Sequence, residues 1–328
     1  MGRALAPQEE QENAGEESAH HSRDPSDDVR HESQCILYGA MLAVPSPRYS
    51  DEPFVESVVC ATDFSPAGMN AFAHALMMAV TLRCRFTLFH AGDADDAHTE
   101  WSKIPGVRTV LEDWGYLKHG SPRSAVFNKM AVEVTKVYVH SNDALGKLSE
   151  YLKDDPSDLV VIGTGGHTGP LSWLRPSAAR KVTWDSRTMT LFVPASGGFV
   201  SREHGGFTLK RVLVPVNDHP DPHPAVTYAF RAAVFSSEDV IEMDLLHVGE
   251  GAQELRLDLP ERDYLRWEVL SRDGHPAERI LQTAAERDCG MIAMTTDGVG
   301  GLFGGSTMEL VVKSAHCPVL VERFLILR

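Results

Sequence analysis

Five short apolar runs recur through residues 54–194, each separated from the next by a longer stretch of mixed character. Runs that are apolar at nearly every position indicate strands buried on both faces of a parallel sheet. The predicted strands are 57–63, 85–90, 132–139, 158–163 and 189–193. Helices are predicted at 66–82, in parts of 101–130, at 143–152 and from about Ser177. This alternation predicts an α/β fold, with a mostly parallel sheet covered by helices on both faces.

The same order of elements begins again after residue 206. Strands are predicted at 211–217, 241–247, 266–270, 291–294 and 317–321, and helices at 276–287 and from about Ser306. The second copy is shorter between its second and third strands, which predicts that it lacks one helix there. We therefore predict two tandem α/β domains, 54–194 and 207–328, joined by a small, polar linker at 195–206.

Residues 1–50 have a different composition from the rest of the chain. Residues 1–34 hold nine acidic and three basic residues and almost no large apolar ones. A segment of this kind cannot bury enough surface to offset its ordering entropy, so we predict a disordered acidic leader. Two interpretations stay open. The leader is an acidic interaction tail, or it is a solvated extension or a start assigned too early, with Met41 as the true start.

The net charge of −15 argues against two classes of partner. Nucleic acids and anionic membrane surfaces are bound through an excess of Lys and Arg, which this chain lacks. The longest apolar stretch, 71–82, is shorter than the roughly 18 residues that span a bilayer. Five cysteines without a CxxC pair indicate reduced thiols instead of disulfides or a zinc site. We therefore expect a cytosolic protein that has no membrane segment and no metal site.

Open parallel sheets bind ligands beyond the carboxyl ends of their strands. The loop 163–169, after the fourth strand, holds four glycines and precedes a predicted helix. Glycines allow backbone N–H groups to approach a phosphate at a helix N-terminus, but such loops also serve as plain strand-to-helix turns. Neither a dinucleotide-binding glycine fingerprint after the first strand nor a P-loop Gly-Lys-Ser/Thr tripeptide occurs.

Two weaker candidates remain open on spacing alone. The segment 219–223, His-Pro-Asp-Pro-His, could chelate a metal, but a Pro-rich loop at a helix start is the favoured interpretation because no further ligand is apparent. His90 and His247 recur at the same repeat position, which suggests a packing or hydrogen-bonding role at a strand end. No spacing suggests a catalytic triad or a carboxylate pair, and no catalytic residue is predicted.

Five motifs follow one another in a fixed order along the two copies. They are Ala61-Thr62-Asp63-Phe64-Ser65, Leu88-Phe89-His90, 158–166, 305–311 and 316–321. In this order they resemble the universal stress protein family, over residues 54–194 and 207–322. The resemblance implies two Rossmann-like domains of the adenine nucleotide alpha hydrolase type. It also implies a nucleotide site, because one branch of the family binds ATP.

The resemblance carries the family's nucleotide-binding positions onto both copies. In the first copy these are Asp63, Ala91, Gly163, Gly166 and Ser177. In the second copy they are Asn217, Val248, Gly298, Gly305 and Ser306.

Both copies depart from the family motif. In the first copy Pro176 replaces the third motif glycine and offers no N–H to a phosphate. Arg175 beside it either compensates with its charge or is a solvated surface base. In the second copy Asn217 stands in place of the aspartate, with Asp218 next to it, and the interval from Gly298 to Gly305 is three residues short.

The leading hypothesis is a tandem universal stress protein, a cytosolic stress-response regulator that binds ATP, with Mg²⁺, through degenerate motifs. The resemblance implies that the two copies pack as an internal pseudo-dimer in which strands 189–193 and 317–321 meet, and it leaves a homodimer open. Two alternatives remain: a nucleotide-free protein-interaction module, and a slow ATPase.

Overall fold

Ten strands form in the described part of the computed structural model, and they follow the apolar runs of the sequence. In the first half they are β1 (Ser57–Ala61), β2 (Arg85–Gly92), β3 (Val134–His140), β4 (Leu159–Thr164) and β5 (Met189–Pro194). In the second half they are β6 (Arg211–Val216), β7 (Ile241–Val248), β8 (Leu265–Arg272), β9 (Met291–Thr296) and β10 (Val319–Arg323). The predicted start of the last strand at Cys317 is wrong, because the strand begins only after Pro318, which has no N–H for a ladder.

The structure describes residues 55–92, 101–102, 106–164, 188–217, 221–236, 240–249, 257, 259–296 and 305–323. The predicted leader, most of both glycine loops and the helix expected from about Ser177 lie outside these residues.

All ten strands belong to one sheet, in the order β3-β2-β1-β4-β5-β10-β9-β6-β7-β8. The order of the first half is repeated in reverse by the second half, as expected for two copies related by a two-fold axis. Neighbouring strands are parallel except β5 and β10, which pair antiparallel with Leu191 opposite Leu320. This pairing confirms that the two predicted terminal strands meet, and it hides two apolar sheet edges. Because the halves share one sheet, the boundary at 195–206 stays a prediction from the repeat.

Seven helices accompany these strands in the described residues. They are α1 (Pro66–Leu82), α2 (Val107–Asp113), α3 (Ala125–Met130), α4 (Ala144–Asp154), α5 (His223–Ser236), α6 (Pro276–Glu286) and α7 (Gly305–Ser314). The alternation of helices and mostly parallel strands is the predicted α/β fold of Rossmann-like type.

Local capping explains where two of the helices begin. Ser65 precedes α1 and its side chain accepts a hydrogen bond from the Gly68 N–H at 3.1 Å, while Pro66 occupies the first helical position. Asp143 caps α4 in the same way, through the Gly146 N–H at 2.9 Å. These contacts satisfy N–H groups that have no partner within the helix. The start of α1 at Pro66 was predicted from the sequence, and the start of α4 was predicted one residue earlier, at Asp143.

The two copies differ between their second and third strands. The first copy places α2 and α3 there, whereas the described residues between β7 and β8 contain no helix. Val269, in the edge strand β8, is 63% exposed.

Residues 199–208 fold as a small hairpin, in contrast to the polar linker predicted there. Phe199 is only 2% exposed and its ring stacks on that of Phe207, with the centroids 6.3 Å apart. The bridge between Val200 and Phe207 and the bond from the Thr208 N–H to the Phe199 carbonyl oxygen hold the two arms together. Buried aromatic and aliphatic side chains, which local composition did not suggest, therefore anchor the connection.

The four described cysteines are buried free thiols, namely Cys60, Cys84, Cys289 and Cys317. Burial raises the pKa of Cys60 well above its ordinary value and the pKa of Cys84 to about 12. Thiols of this kind are poor nucleophiles and act as small core residues. None of the described helices is long and apolar enough to cross a membrane.

Candidate functional site

Three of the five site residues predicted in the first copy lie at one edge of the sheet. Asp63 follows β1, Ala91 lies near the end of β2, and Gly163 is the fifth residue of β4. Strand β1 pairs with both β2 and β4 in parallel, so their carboxyl ends meet at this edge. Gly166 and Ser177 lie outside the described residues. This edge is where an open parallel sheet takes its ligands.

The Asp63 carboxylate uses one oxygen to shape the loop and leaves the other without a partner. Asp63 Oδ1 accepts a hydrogen bond from the Ser65 N–H at 3.0 Å. Asp63 Oδ2 is shielded from solvent and has no hydrogen-bond partner among the described residues. A buried acceptor without a donor costs roughly 1–3 kcal/mol. An N–H donor supplied by a ligand would recover that cost.

Phe64 has a backbone conformation that bulky side chains rarely adopt. Its φ is +62°, and its N–H donates to Thr62 Oγ1 at 3.1 Å. Such conformations cost about 1–3 kcal/mol and persist only where surrounding contacts impose them. The strain therefore lies in the same loop as the unpartnered oxygen of Asp63.

Gly163 brings β4 and α1 into direct backbone contact. A Cβ atom at this position would lie 2.4 Å from the Ala67 carbonyl carbon and 2.6 Å from the Gly68 nitrogen. No side chain fits there unless the strand and the helix move apart. Packing alone thus requires a glycine at this position, whatever the loop binds.

Gly163→Ala is expected to lower the free energy of unfolding by about 2 kcal/mol, because the added methyl group overpacks this contact. Urea denaturation followed by circular dichroism measures the change. Gly206→Ala is the matched control: a Cβ there has nothing within 4 Å, and we expect a change below about 0.5 kcal/mol. Equal effects of the two substitutions would contradict the packing argument.

Four aromatic rings extend from the Asp63 loop across the ends of β2 and β3. Their centroids are 4.2 Å apart for Phe64 and His90, 6.1 Å for His90 and Trp101, and 5.7 Å for His90 and Tyr138. We call these four residues the ring cluster. The amino group of Lys136 lies over the Trp101 ring, 5.1 Å from its centroid.

Trp101, Tyr138 and Lys136 were not predicted as site residues from the sequence. Trp101 lies in a segment without clear periodicity, and Lys136 and Tyr138 are ordinary positions of a predicted strand. Only the pairing of β2 with β3, which sets His90 opposite Tyr138, shows that they adjoin the Asp63 loop. An aromatic residue near the carboxyl end of a strand was the one available signal.

The recurrent histidines have different surroundings in the two copies. His90 Nδ1 donates to the Thr62 carbonyl oxygen at 2.7 Å, in agreement with the hydrogen-bonding role predicted for it. His247 is 4% exposed, and its Nδ1 has no hydrogen-bond partner among the described residues. The copies therefore share a fold without sharing this contact.

At the corresponding edge of the second copy, a threonine hydroxyl group bonds to the start of a helix. Asn217 follows β6 and Val248 ends β7, while Gly298 lies outside the described residues and Gly305 and Ser306 begin α7. Thr295 is the fifth residue of β9, the place that Gly163 has in β4. Its Oγ1 accepts a hydrogen bond from the Ala225 N–H, in the first turn of α5, at 3.2 Å. The sequence reading missed this difference between the copies.

The described part of the segment considered as a metal chelator forms the start of a helix. Asp221 Oδ1 accepts a hydrogen bond from the His223 N–H at 3.0 Å and contacts His223 Nδ1 at 2.6 Å. Helix α5 begins at His223. His219 lies outside the described residues, and those residues contain no group of three potential metal ligands.

Comparison with known proteins gives a consistent family. The family model described as the universal stress protein family matches residues 55–194 and again 208–323. A universal stress protein from Thermus aquaticus is 46% identical over 61 residues, which are 18% of this chain and 44% of that protein. One from Methanocaldococcus jannaschii is 43% identical over 54 residues, 16% of this chain and 32% of that protein. The chain thus matches less than half the length of either relative.

A solved structure extends the likeness over both copies. The crystal structure of a universal stress protein from Archaeoglobus fulgidus covers 82% of this chain and 96% of its own, with a TM-score of 0.53 at 14% identity. At that identity the likeness concerns the fold alone.

Proposed function

The chain belongs to the universal stress protein family, and from this membership we propose that it is a cytosolic stress-response regulator whose first copy binds an adenine nucleotide. The observation that carries the proposal is the shielded Oδ2 of Asp63, which has no hydrogen-bond partner among the described residues. A base with an exocyclic amino group supplies the donor that this oxygen lacks. ATP with Mg²⁺ is the form that the family resemblance suggests.

The surroundings of Asp63 favour this role. The residue lies where the carboxyl ends of β1, β2 and β4 meet, the usual position of a ligand in an open sheet. Its other oxygen is engaged by the Ser65 N–H, so the carboxylate is held in one orientation. Ala91, buried near the end of β2, lies at the same edge of the sheet.

The second copy is less suited to the same ligand. Asn217 offers a neutral amide where the first copy has a carboxylate. Thr295 engages the Ala225 N–H, one of the first-turn N–H groups of α5. We therefore propose one nucleotide per chain.

A nucleotide-free interaction module is the second candidate. The contact that favours it is that of Gly163 with Ala67, which explains one motif glycine by packing alone. Pro176, which removes a phosphate donor, points the same way.

Isothermal titration of MgATP into the full chain tests the proposal. We expect saturable binding at a stoichiometry near one, and a loss of affinity of at least about ten-fold in Asp63→Ala, since a hydrogen bond to a charged group contributes roughly 1.5–3 kcal/mol. Asn217→Ala, at the matching position of the second copy, is the control and is expected to change affinity less than about two-fold.

Two outcomes would contradict the proposal. One is no heat at millimolar ATP for a chain shown to be folded by circular dichroism. The other is equal binding by the wild type and Asp63→Ala. The first outcome would favour the interaction module, and the second would mean that the nucleotide binds at a site that does not use Asp63.

A further inference from the structure

We propose that the ring cluster (Phe64, His90, Trp101 and Tyr138) is the stacking face for the base, and that Trp101 selects a purine over a pyrimidine. This inference rests on the proposed nucleotide site and identifies the contacts that set its specificity. It concerns side chains from four separate parts of the chain that the tertiary structure brings to one edge.

The ring cluster adjoins Asp63 directly. Phe64 is the next residue along the chain, and its ring contacts both His90 and Trp101, at centroid distances of 4.2 and 6.0 Å. Trp101 and Tyr138 are only partly buried, so part of their aromatic surface is accessible to solvent at this edge of the sheet. Aromatic rings at such distances favour tilted and edge-to-face contacts with a further ring.

Positive charge lies at the outer end of the ring cluster. Lys136 lies over the Trp101 ring, and burial, together with nearby Arg123, lowers the pKa of its ammonium group. No ion pair with a carboxylate of the described residues is formed by either Lys136 or Arg123. In a chain of net charge −15, this local positive field favours an anionic ligand, that is, a nucleotide over a nucleoside.

Asp63 distinguishes bases by their hydrogen-bond donors, and the ring cluster distinguishes them by the area of their rings. The carboxylate accepts from an exocyclic amine, which adenine, cytosine and guanine carry and uracil lacks. Asp63 therefore cannot separate adenine from cytosine. Stacking can, because a two-ring base covers more aromatic surface than a one-ring base. Together the two contacts favour a purine that carries an exocyclic amine.

Titration calorimetry of the full chain with ATP and with CTP tests this role. We expect the wild type to bind ATP about ten-fold more tightly than CTP, because stacking on an aromatic side chain contributes roughly 1–3 kcal/mol per base and the two-ring base is expected at the upper end of that range. In Trp101→Leu the ratio is expected to fall to within about three-fold, with ATP binding weakened more than CTP binding. Trp267→Leu, a partly buried tryptophan of β8 in the second copy, is the matched control and should leave the ratio unchanged.

A conservative variant gives a second, independent measurement. Trp101→Phe keeps an aromatic ring and is expected to lose only about two- to three-fold in ATP affinity. The change of tryptophan fluorescence on ATP binding is expected to vanish in this variant while calorimetric binding persists. A structural role of Trp101 would not produce this separation.

The outcomes separate the inference from the proposed function. If ATP binds, Asp63→Ala weakens binding by at least about ten-fold, and Trp101→Leu leaves the ATP-to-CTP ratio unchanged, the stacking role is wrong and the nucleotide site stands. If neither nucleotide binds the folded wild type, both are wrong.

Discussion

Asp244→Ala is expected to lower the free energy of unfolding by about 3 kcal/mol, a larger loss than we expect for any other polar side chain of the second copy. Asp244 is completely buried in β7 and accepts hydrogen bonds from two arginines. Arg211 Nη1 lies 3.0 and 3.1 Å from its two carboxylate oxygens. Arg287 reaches the same oxygens through Nε at 2.6 Å and Nη2 at 3.1 Å.

The cost arises from the two cations that the substitution leaves behind. Both arginine side chains are about three-quarters buried, and the hydrogen bonds that Arg287 donates to Asp244 raise the pKa of Arg287 above its ordinary value. Arg287 also donates to Glu268 in β8. The network therefore joins the amino-terminal parts of β6, β7 and β8 to the end of α6. Removing one member of such a network leaves the remaining charges buried without a counter-charge and with too little water to solvate them.

Urea denaturation at pH 7 measures the effect, with Glu242→Ala as the matched control on the same strand. Glu242 faces Arg266 across 3.9 Å, and the arginine side chain is 70% exposed. An exposed pair of this kind contributes at most about 1 kcal/mol. If Asp244→Ala cost no more than Glu242→Ala, the account of the buried network would be wrong.

Acidification from pH 7 to pH 5 is expected to lower the free energy of unfolding by about 2 kcal/mol through His74 alone. This histidine is fully buried in α1, and burial lowers its pKa from 6.5 to about 4. Because the folded pKa is the lower one, the unfolded chain binds the extra proton. The contribution is complete above pH 6.5 and is lost as the pH falls towards 4.

The contacts of His74 explain why the neutral ring is required. Its Nδ1 donates to the Asn70 carbonyl oxygen at 2.8 Å, and its Nε2 accepts from the Phe199 N–H at 3.1 Å. A protonated ring has no acceptor left for the Phe199 N–H. Gly198, with φ of +135°, lies so close that a Cβ there would be 2.4 Å from Nε2. Protonation of His74 therefore breaks a hydrogen bond to the hairpin that joins the two copies.

Urea midpoints of the wild type and His74→Gln, measured at pH 7 and pH 5, test this account. Glutamine keeps an acceptor for the Phe199 N–H but does not titrate, so the variant is expected to lose about 2 kcal/mol less on acidification. His204→Gln is the control, because His204 is 81% exposed and should leave the pH dependence unchanged. Identical pH dependence in all three proteins would refute the assignment to His74.

The order of elements, the repeat and the edge at which a ligand would lie follow from the amino-acid sequence alone. Continuous apolar runs predicted the buried strands, and Ser65, Pro66 and Asp143 marked helix starts. These signals are local, since they depend on a residue and its near neighbours in the chain. The convergence of Asp63, Ala91 and Gly163 followed from the same pattern, because parallel strands end at one edge.

Which side chains contact one another depends on how the strands pair and how the helices pack. Strand pairing brings Tyr138 beside His90, and helix packing decides that Gly163 contacts Ala67 while Thr295 bonds to Ala225. The same holds for the arginines around Asp244 and for the hairpin against His74. These contacts join residues tens of positions apart, and a shift of register or a small change in helix distance would abolish them. No local pattern encodes such distances, so the specificity of the site and the polar contacts that stabilise the fold emerged only from the folded chain.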